Sequence, residues 1–336
     1  MNIGAIARRA RVSTATVSRT LNQNGVVRPE TARRVWRAAA ALNYFPNSHA
    51  RALVSGRSRL VGLIVSDITN PFFPELVRQF ESLTLQRQYD LILTSTDYQT
   101  ERMSTCLRRM LERKVDGVAL MTSEMDEGLI DELSRRGVPL VFMDVGQVGA
   151  RMSHVVMEYA DGIRQAVDHV VDLGHRRVGF ISGPLDLHSA RSRRNAFVER
   201  LRHHSIAVDT QFVREGTHTA EGGQQAMDAL LRGRRRPTAV ICSNDWTAIG
   251  ALHAIDAAGL RVPEDLSLVG FDDTPIASYT RPPLTTVRMS AADIGTTACQ
   301  ALFDLIDHED HKGARLRIRT TLVVRGSTAR IQKSIR

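Results

Sequence analysis

Two series of short apolar runs constrain the fold of this chain more than anything else in it. The first is LVGLIVS (60–66), YDLILTS (89–95), VDGVALM (115–121) and VPLVFMD (138–144). The second is RVGFISG (177–183), PTAVICS (237–243) and LSLVGFD (266–272), and amphipathic stretches separate the runs in both. Short runs that are apolar throughout suit strands buried on both faces of a parallel sheet, and alternation with helices gives doubly wound α/β layers. Two series predict two lobes. TTVRMS (285–290) and RIRTTLVVRG (317–326) return the chain between them, so three crossovers border a cleft. The lobes are expected over roughly 60–157 with 289–317, and 158–288 with 318–336.

The first 59 residues have a different character. Ile3, Ile6, Ala7 and Ala10 recur at helical spacing behind Asn2, a suitable N-cap. Arg11-Val12 interrupts the pattern. Ser13 or Thr14 can cap a second helix in which Val17 and Leu21 face inward. Thr14, Ala15, Thr16, Ser18, Arg19 and Asn22 then point outward, a face of small hydrogen-bonding residues with one Arg and no carboxylate. Such a face fits a DNA major groove, where Arg can pair with guanine; the alternative is a helical hairpin with a solvated face. Charge favours the groove. Residues 1–59 hold eleven Arg, no Lys and one acid, Glu30, whereas the other 277 residues carry 34 bases against 35 acids. A basic headpiece on a neutral body is the electrostatic footprint of a nucleic-acid binder.

Other classes find little support. The 336 residues, 43% hydrophobic, suit a small domain plus a bilobed one. No apolar run approaches the ~20 residues of a membrane span, and no apolar signal segment follows Arg8, Arg9 and Arg11. Cys106, Cys242 and Cys299 lack metal-ligand spacing and suit a reducing cytosol. The potential ligands of HEDH (308–311) read as an exposed loop. Asp272 and Asp273 point apart on an extended chain and make a poor catalytic pair. There is no P-loop, G-x-G-x-x-G, nucleophile elbow or H-E-x-x-H, and no cofactor or metal is expected.

VSTATVSRTLN (12–22), V-R-P-E-T (27–31), L-N-Y-F-P-N (42–47) and A-R-A-L (50–53) together resemble the headpiece of the lactose-repressor (LacI/GalR) family. The resemblance implies a helix-turn-helix domain over 1–46, with 14–22 as recognition helix and 29–42 as third helix. It makes 47–59 a hinge helix and linker, in which Leu53 wedges into a minor-groove base step. It continues through the body in D-I-T-N-P-F-F (67–73), L-G-H-R-R-V (173–178), S-N-D (243–245), G-L-R-V-P-E-D-L-S-L-V-G-F-D-D (259–273), R-P-P-L-T-T-V-R (281–288) and L-V-V-R-G-S-T (322–328). That implies a core over 60–336 like periplasmic sugar-binding proteins, used as sensor and dimerisation body.

Ligands of open α/β sheets sit beyond the carboxyl ends of the strands. Phe72 and Phe73 follow the first strand and could stack on a sugar or base, or begin a core-facing helix. Asp272 ends the strand LSLVGF, where it could take two ligand hydroxyls or cap the next segment. Arg193, in SARSRR, stands where the family has an effector-contacting Arg. Asn244 is a weaker candidate at the end of PTAVICS. Asp161, in ADG, matches a sugar-contacting Asp of the family, and His218 sits where relatives often carry Trp or Phe. Some positions depart from the family pattern: Met157-Glu158 for Asp-Asn, Ala291 for a Phe, Arg11 for a turn Gly or Asn, and Arg28 for a capping hydroxyl. The Arg11 backbone is expected to be strained.

The resulting expectation is a cytoplasmic homodimer, or a tetramer, that binds a near-palindromic operator as a repressor. A small-molecule effector, a sugar or related metabolite, sits between the lobes, and no membrane is involved. A cleft enzyme and a secreted sugar-binding protein are the alternatives. The absent catalytic motifs oppose the first, and the basic headpiece opposes the second.

Overall fold

The computed structural model describes residues 2–22, 26–44, 56–122, 127–144, 148–308 and 310–331. They fall into two compact units, Met1–Arg59 and Leu60–Arg336. Residues 47–55 of the predicted hinge, Leu53 among them, lie outside the described residues.

The smaller unit holds three helices: α1 (Ile3–Ala10), α2 (Thr14–Asn22) and α3 (Pro29–Ala41). Asn2 caps α1 by accepting the Ala5 amide at 3.1 Å. Arg11 ends that helix in the left-handed region (φ 53, ψ 52), the strained geometry its position implies. The Ser13 hydroxyl caps α2 by accepting the Thr16 amide at 3.1 Å. Pro29 opens α3, and Arg28 before it gives no side-chain cap. Ile6, Val17 and Val35, one from each helix, are fully buried among Ala7, Ala10, Leu21, Ala38 and Ala39. The alanines let three short helices approach closely around a core of few large side chains.

The larger unit contains two six-stranded sheets. The first runs β11-β5-β4-β3-β1-β2, and the second β12-β10-β9-β8-β6-β7. In chain order the strands are β1 (Leu60–Val65), β2 (Asp90–Ser95), β3 (Gly117–Met121), β4 (Leu140–Met143), β5 (Met152–Met157), β6 (Val178–Ser182), β7 (Val213–Glu215), β8 (Ala239–Cys242), β9 (Ser267–Asp272), β10 (Thr285–Arg288), β11 (Arg315–Ile318) and β12 (Thr321–Val323). All pairings are parallel except β10 with β12. The helices are α4 (Phe72–Gln86), α5 (Thr100–Glu112), α6 (Glu127–Arg135), α7 (Tyr159–Asp172), α8 (His188–His203), α9 (Ala220–Leu231), α10 (Asp245–Ala257) and α11 (Ala291–Asp307). They cover the sheets, with α4 against α11, α7 against α8 and α9 against α10.

The central strands β3, β4, β6, β8 and β9 are buried at every residue, as continuous apolar runs require. Two strands gave no such run. In β5, Ser153 and His154 interrupt the apolar pattern although both are buried, and β7 spans only three residues. The stretch 317–326, expected to return the chain between the lobes, runs from the end of β11 in the first sheet into β12 in the second, with Arg319 and Thr320 between. Crossovers after β5 and β10 complete the connection of the two lobes.

Candidate functional site

In the smaller unit, Thr14, Ala15 and Arg19 are exposed on α2, while Thr16 and Ser18 are half-buried. Val17, Thr20 and Leu21 turn inward, so the outward face is the one that helical periodicity predicts. The Thr16 hydroxyl is 2.9 Å from the capping Ser13 hydroxyl, which ties it to the helix start. Asn22 closes α2, and its side chain lies outside the described part.

In the larger unit a chamber of about 40 Å³ is lined by residues that follow the strands. Ser66 follows β1, Tyr98 lies beyond β2 and Asp144 follows β4. From the other lobe come Tyr159 at the start of the helix after β5, His218 beyond β7, Asn244 after β8, Asp272 at the end of β9 and Met289 after β10. The chamber therefore sits at the carboxyl ends of both sheets, where doubly wound folds bind ligands. Phe72 and Phe73, at the start of α4, join it edge to face, with ring centres 5.2 Å apart. Both are also buried in the main core. An open cleft of about 320 Å³ adjoins the chamber and shares Phe72, Asp272 and Met289 with it. The chamber alone has room for a few water molecules and not for a sugar ring.

Arg193 and Ser189 stand one turn apart on α8 and line the chamber together. The Arg193 guanidinium carbon is 4.2 Å from the centre of the Phe271 ring and 4.5 Å from that of Tyr159, and the side chain is 5% exposed. One terminal nitrogen donates to the Ser243 carbonyl, whereas the buried Nε has no acceptor among the described residues. A buried donor left unmet costs about 1–3 kcal/mol. The Asp272 carboxylate, 6% exposed, receives no hydrogen bond among the described residues. Burial raises its pKa well above the ordinary carboxylate range, the Arg193 charge opposes this, and Asp245 adds to it. The unpaired Arg193 Nε and the Asp272 carboxyl group thus line one chamber.

His218 is held by its surroundings. Its Nδ1 is 3.2 Å from the Ser243 hydroxyl, and its carbonyl accepts from Asn244 Nδ2 at 3.1 Å. Gly183 lies against the imidazole, where any Cβ would collide with the ring. Burial and the Arg193 charge push the His218 pKa down to about 3, so the ring is neutral at physiological pH. Asn244 caps α10 with its Oδ1, at 2.8 Å from the Thr247 amide. Its side chain is therefore committed to the helix and to His218. Tyr159 donates its hydroxyl to Asp144 Oδ2 at 2.6 Å.

Six of the seven predicted effector residues line this chamber: Phe72, Phe73, Arg193, His218, Asn244 and Asp272. Asp161 does not. It lies two residues beyond Tyr159 on α7, about 200° around the helix, and faces a separate surface pocket with its carboxylate paired to Arg164. Sequence reasoning missed Ser66, Asn70, Tyr98, Met143, Asp144, Tyr159, Ser189 and Met289. Most of them lie within a few residues of a strand's carboxyl end, so testing every strand end would have found them. The described residues contain no group of three or more His, Cys, Asp or Glu able to hold a metal ion, and no helix among them is long and apolar enough to cross a membrane.

A small helical unit with an outward polar face, joined to a bilobed α/β body with a chamber at its strand ends, is the make-up of a ligand-controlled transcription regulator. Residues 2–47 match the family described as "Bacterial regulatory proteins, lacI family", and residues 167–328 match a periplasmic binding protein-like domain. The chain is 34% identical over 327 residues to the HTH-type transcriptional repressor PurR of Mannheimia succiniciproducens, covering 97% of this chain and 98% of that one. Among solved structures it resembles the lac repressor dimer bound to operator and the anti-inducer ONPF, with TM-score 0.85, 31% identity and coverage of 98% and 99%. It also resembles the transcriptional regulator CelR in complex with cellobiose, with TM-score 0.72, 30% identity and coverage of 97% and 99%. The chain belongs to the LacI family of bacterial regulators and is a DNA-binding transcriptional repressor regulated by a small-molecule effector.

Proposed function

We propose that the chamber between the lobes is the effector site and that the effector is a polyhydroxylated molecule or a flat base. The observation that carries this reading is the pair Arg193 and Asp272: a buried guanidinium whose Nε has no acceptor, and a carboxyl group with no hydrogen-bond donor, among the described residues. Ligand hydroxyls can donate to Asp272 while a ligand oxygen accepts from Arg193 Nε. That restores what burial costs both groups. Phe72 and Phe73 supply apolar faces for a ring. The cellobiose bound by the similar CelR is such a polyol. Because the chamber is small, occupancy requires the lobes or the lining side chains to part first.

In this reading α2 enters the major groove of operator DNA, with Arg19 at a base edge and Thr14, Ala15, Thr16, Ser18 and Asn22 along the contact. Leu53 is the minor-groove wedge, a role that rests on the sequence resemblance alone. The working form is a homodimer on a near-palindromic operator, because one headpiece reads too few base pairs for specificity. Its site of action is the cytoplasm, with the chromosome. The effector acts by favouring one arrangement of the lobes over another.

A thermal-shift screen of sugars and purine bases tests the chamber. A true effector at 100 times its Kd adds about 2.7 kcal/mol of stability to the wild type. It should add far less to Arg193→Ala and Asp272→Asn. Equal stabilisation of all three proteins would place the site elsewhere.

A further inference from the structure

We infer that Asp245 is a positioning residue for the chamber, holding the Asp272–Thr274 turn so that Asp272 presents its carboxylate there. The inference rests on the chamber being the effector site. Asp245 is the first residue of α10, fully buried, and does not itself line the chamber. Its Oδ2 accepts from the Thr274 amide at 2.7 Å and from the Thr274 hydroxyl at 2.8 Å. Its Oδ1 accepts from the Thr286 hydroxyl of β10 at 2.6 Å. One carboxylate thus binds the turn to the neighbouring strand.

The turn needs holding. Asp272 (φ 110) and Asp273 (φ 58) are consecutive non-glycine residues in the left-handed half of backbone space. Such backbone is disfavoured for residues with a Cβ and persists where surrounding structure overdetermines it. Outside the chamber, Asp273 pairs with Arg288 at 2.6 Å and Arg325 at 2.5 Å, and the Met289 amide donates to the Asp272 carbonyl at 3.2 Å. Asp245 grips the same turn from inside. Room for it comes from Gly270 in β9, where a Cβ would collide with Asp245 Oδ1. A buried acid with three donors and a bare strand position beside it is a built arrangement. A carboxylate placed only to cap α10 would need neither Thr274 nor Gly270, and Asn244 already caps that helix.

The test uses the full-length protein, with ribose, cellobiose and hypoxanthine as probes in isothermal titration. Hydrogen exchange by mass spectrometry follows the segment 273–276. Asp245→Asn should exchange that segment at least tenfold faster and weaken the probe that binds wild type at least tenfold. Affinity for a library-selected operator without probe should stay within twofold. Thr274→Ser keeps both donors and should match wild type, while Thr274→Val loses one and should fall between. Undiminished probe affinity in Asp245→Asn overturns the inference. Where Asp245→Asn does not fold, Thr274→Val decides, and binding equal to that of Thr274→Ser overturns it. A wild type that binds none of the three probes overturns the chamber reading itself, and the positioning role falls with it.

Discussion

Tyr98 and His218 face each other across the cleft with ring centres 5.8 Å apart and 34° between their planes. Tyr98 belongs to the lobe of β2 and His218 to the lobe of β7, so the pair spans the chamber from opposite sides. Tyr98→Ala should remove this closure. Association of the effector found by the screen should speed up at least threefold in stopped-flow measurements, with faster dissociation as well. An unchanged association rate would mean that the effector enters by another route.

The neutral His218 makes the body sensitive to acid. Its folded pKa of about 3 lies below the unfolded value near 6.5, so the folded state binds fewer protons between those limits. The stability it contributes is present above pH about 6.5 and is lost as pH falls toward 3, by at most about 1.4 kcal/mol per unit. His218→Phe keeps an aromatic ring without the proton. Its melting temperature should fall less steeply than that of wild type between pH 6 and 4, and parallel curves would contradict the assignment.

Asp245 has the opposite sign. Burial raises its pKa to about 7, against the pull of its three donors. The stability it contributes is fully present below pH about 4 and is lost as pH rises to about 7. Thermal melts of Asp245→Asn between pH 4.5 and 7.5 should decline less steeply than those of wild type, Asp272 keeping a decline of the same sign. A decline as steep as in wild type would assign it to another group.

How much was legible can be traced residue by residue. The buried central strands were plain, because a strand covered on both faces must be apolar throughout. β5 was not, since Ser153 and His154 are buried polar residues and composition does not reveal burial. The return of the chain between the lobes within 317–326 was read from its apolar pattern, but which strand each half joins depends on long-range pairing that local pattern does not encode. In the chamber, Arg193 was visible through the family resemblance and Asp272 through its place at the end of a strand. The rings that hold Arg193 were not, because Tyr159 and Phe271 lie 34 and 78 positions away from it along the chain. Asp161 lies apart from the other six candidates, because matching a motif to a position ignores which way a helix turns its side chains.

Arg193→Ala and Asp272→Asn should each retain operator affinity without effector and lose the effector's influence on it. Fluorescence anisotropy of a labelled operator, with and without the effector, measures both. A response of undiminished size in both variants would remove these residues from the site.

Arg19→Ala should cost about 1–3 kcal/mol of operator binding and relax preference at one position per half-site. Selection from a randomised duplex library reads this directly. A uniform loss over all sequences would make Arg19 a phosphate contact.

The division of the last strands between the two sheets sets a schedule for synthesis. β11 completes the first sheet at residues 315–318, and α11 covers that sheet only from residue 291. The preceding strand of that sheet, β5, ends at residue 157. At 5–20 residues per second, a growing chain waits roughly 8–30 s between those points, its first lobe lacking both an edge strand and a covering helix. The helices of residues 3–41 are complete long before. The part that reads DNA is therefore made before the part that governs it, and a chain cut short anywhere between residues 60 and 290 carries a finished reading head on a body that cannot close its first sheet.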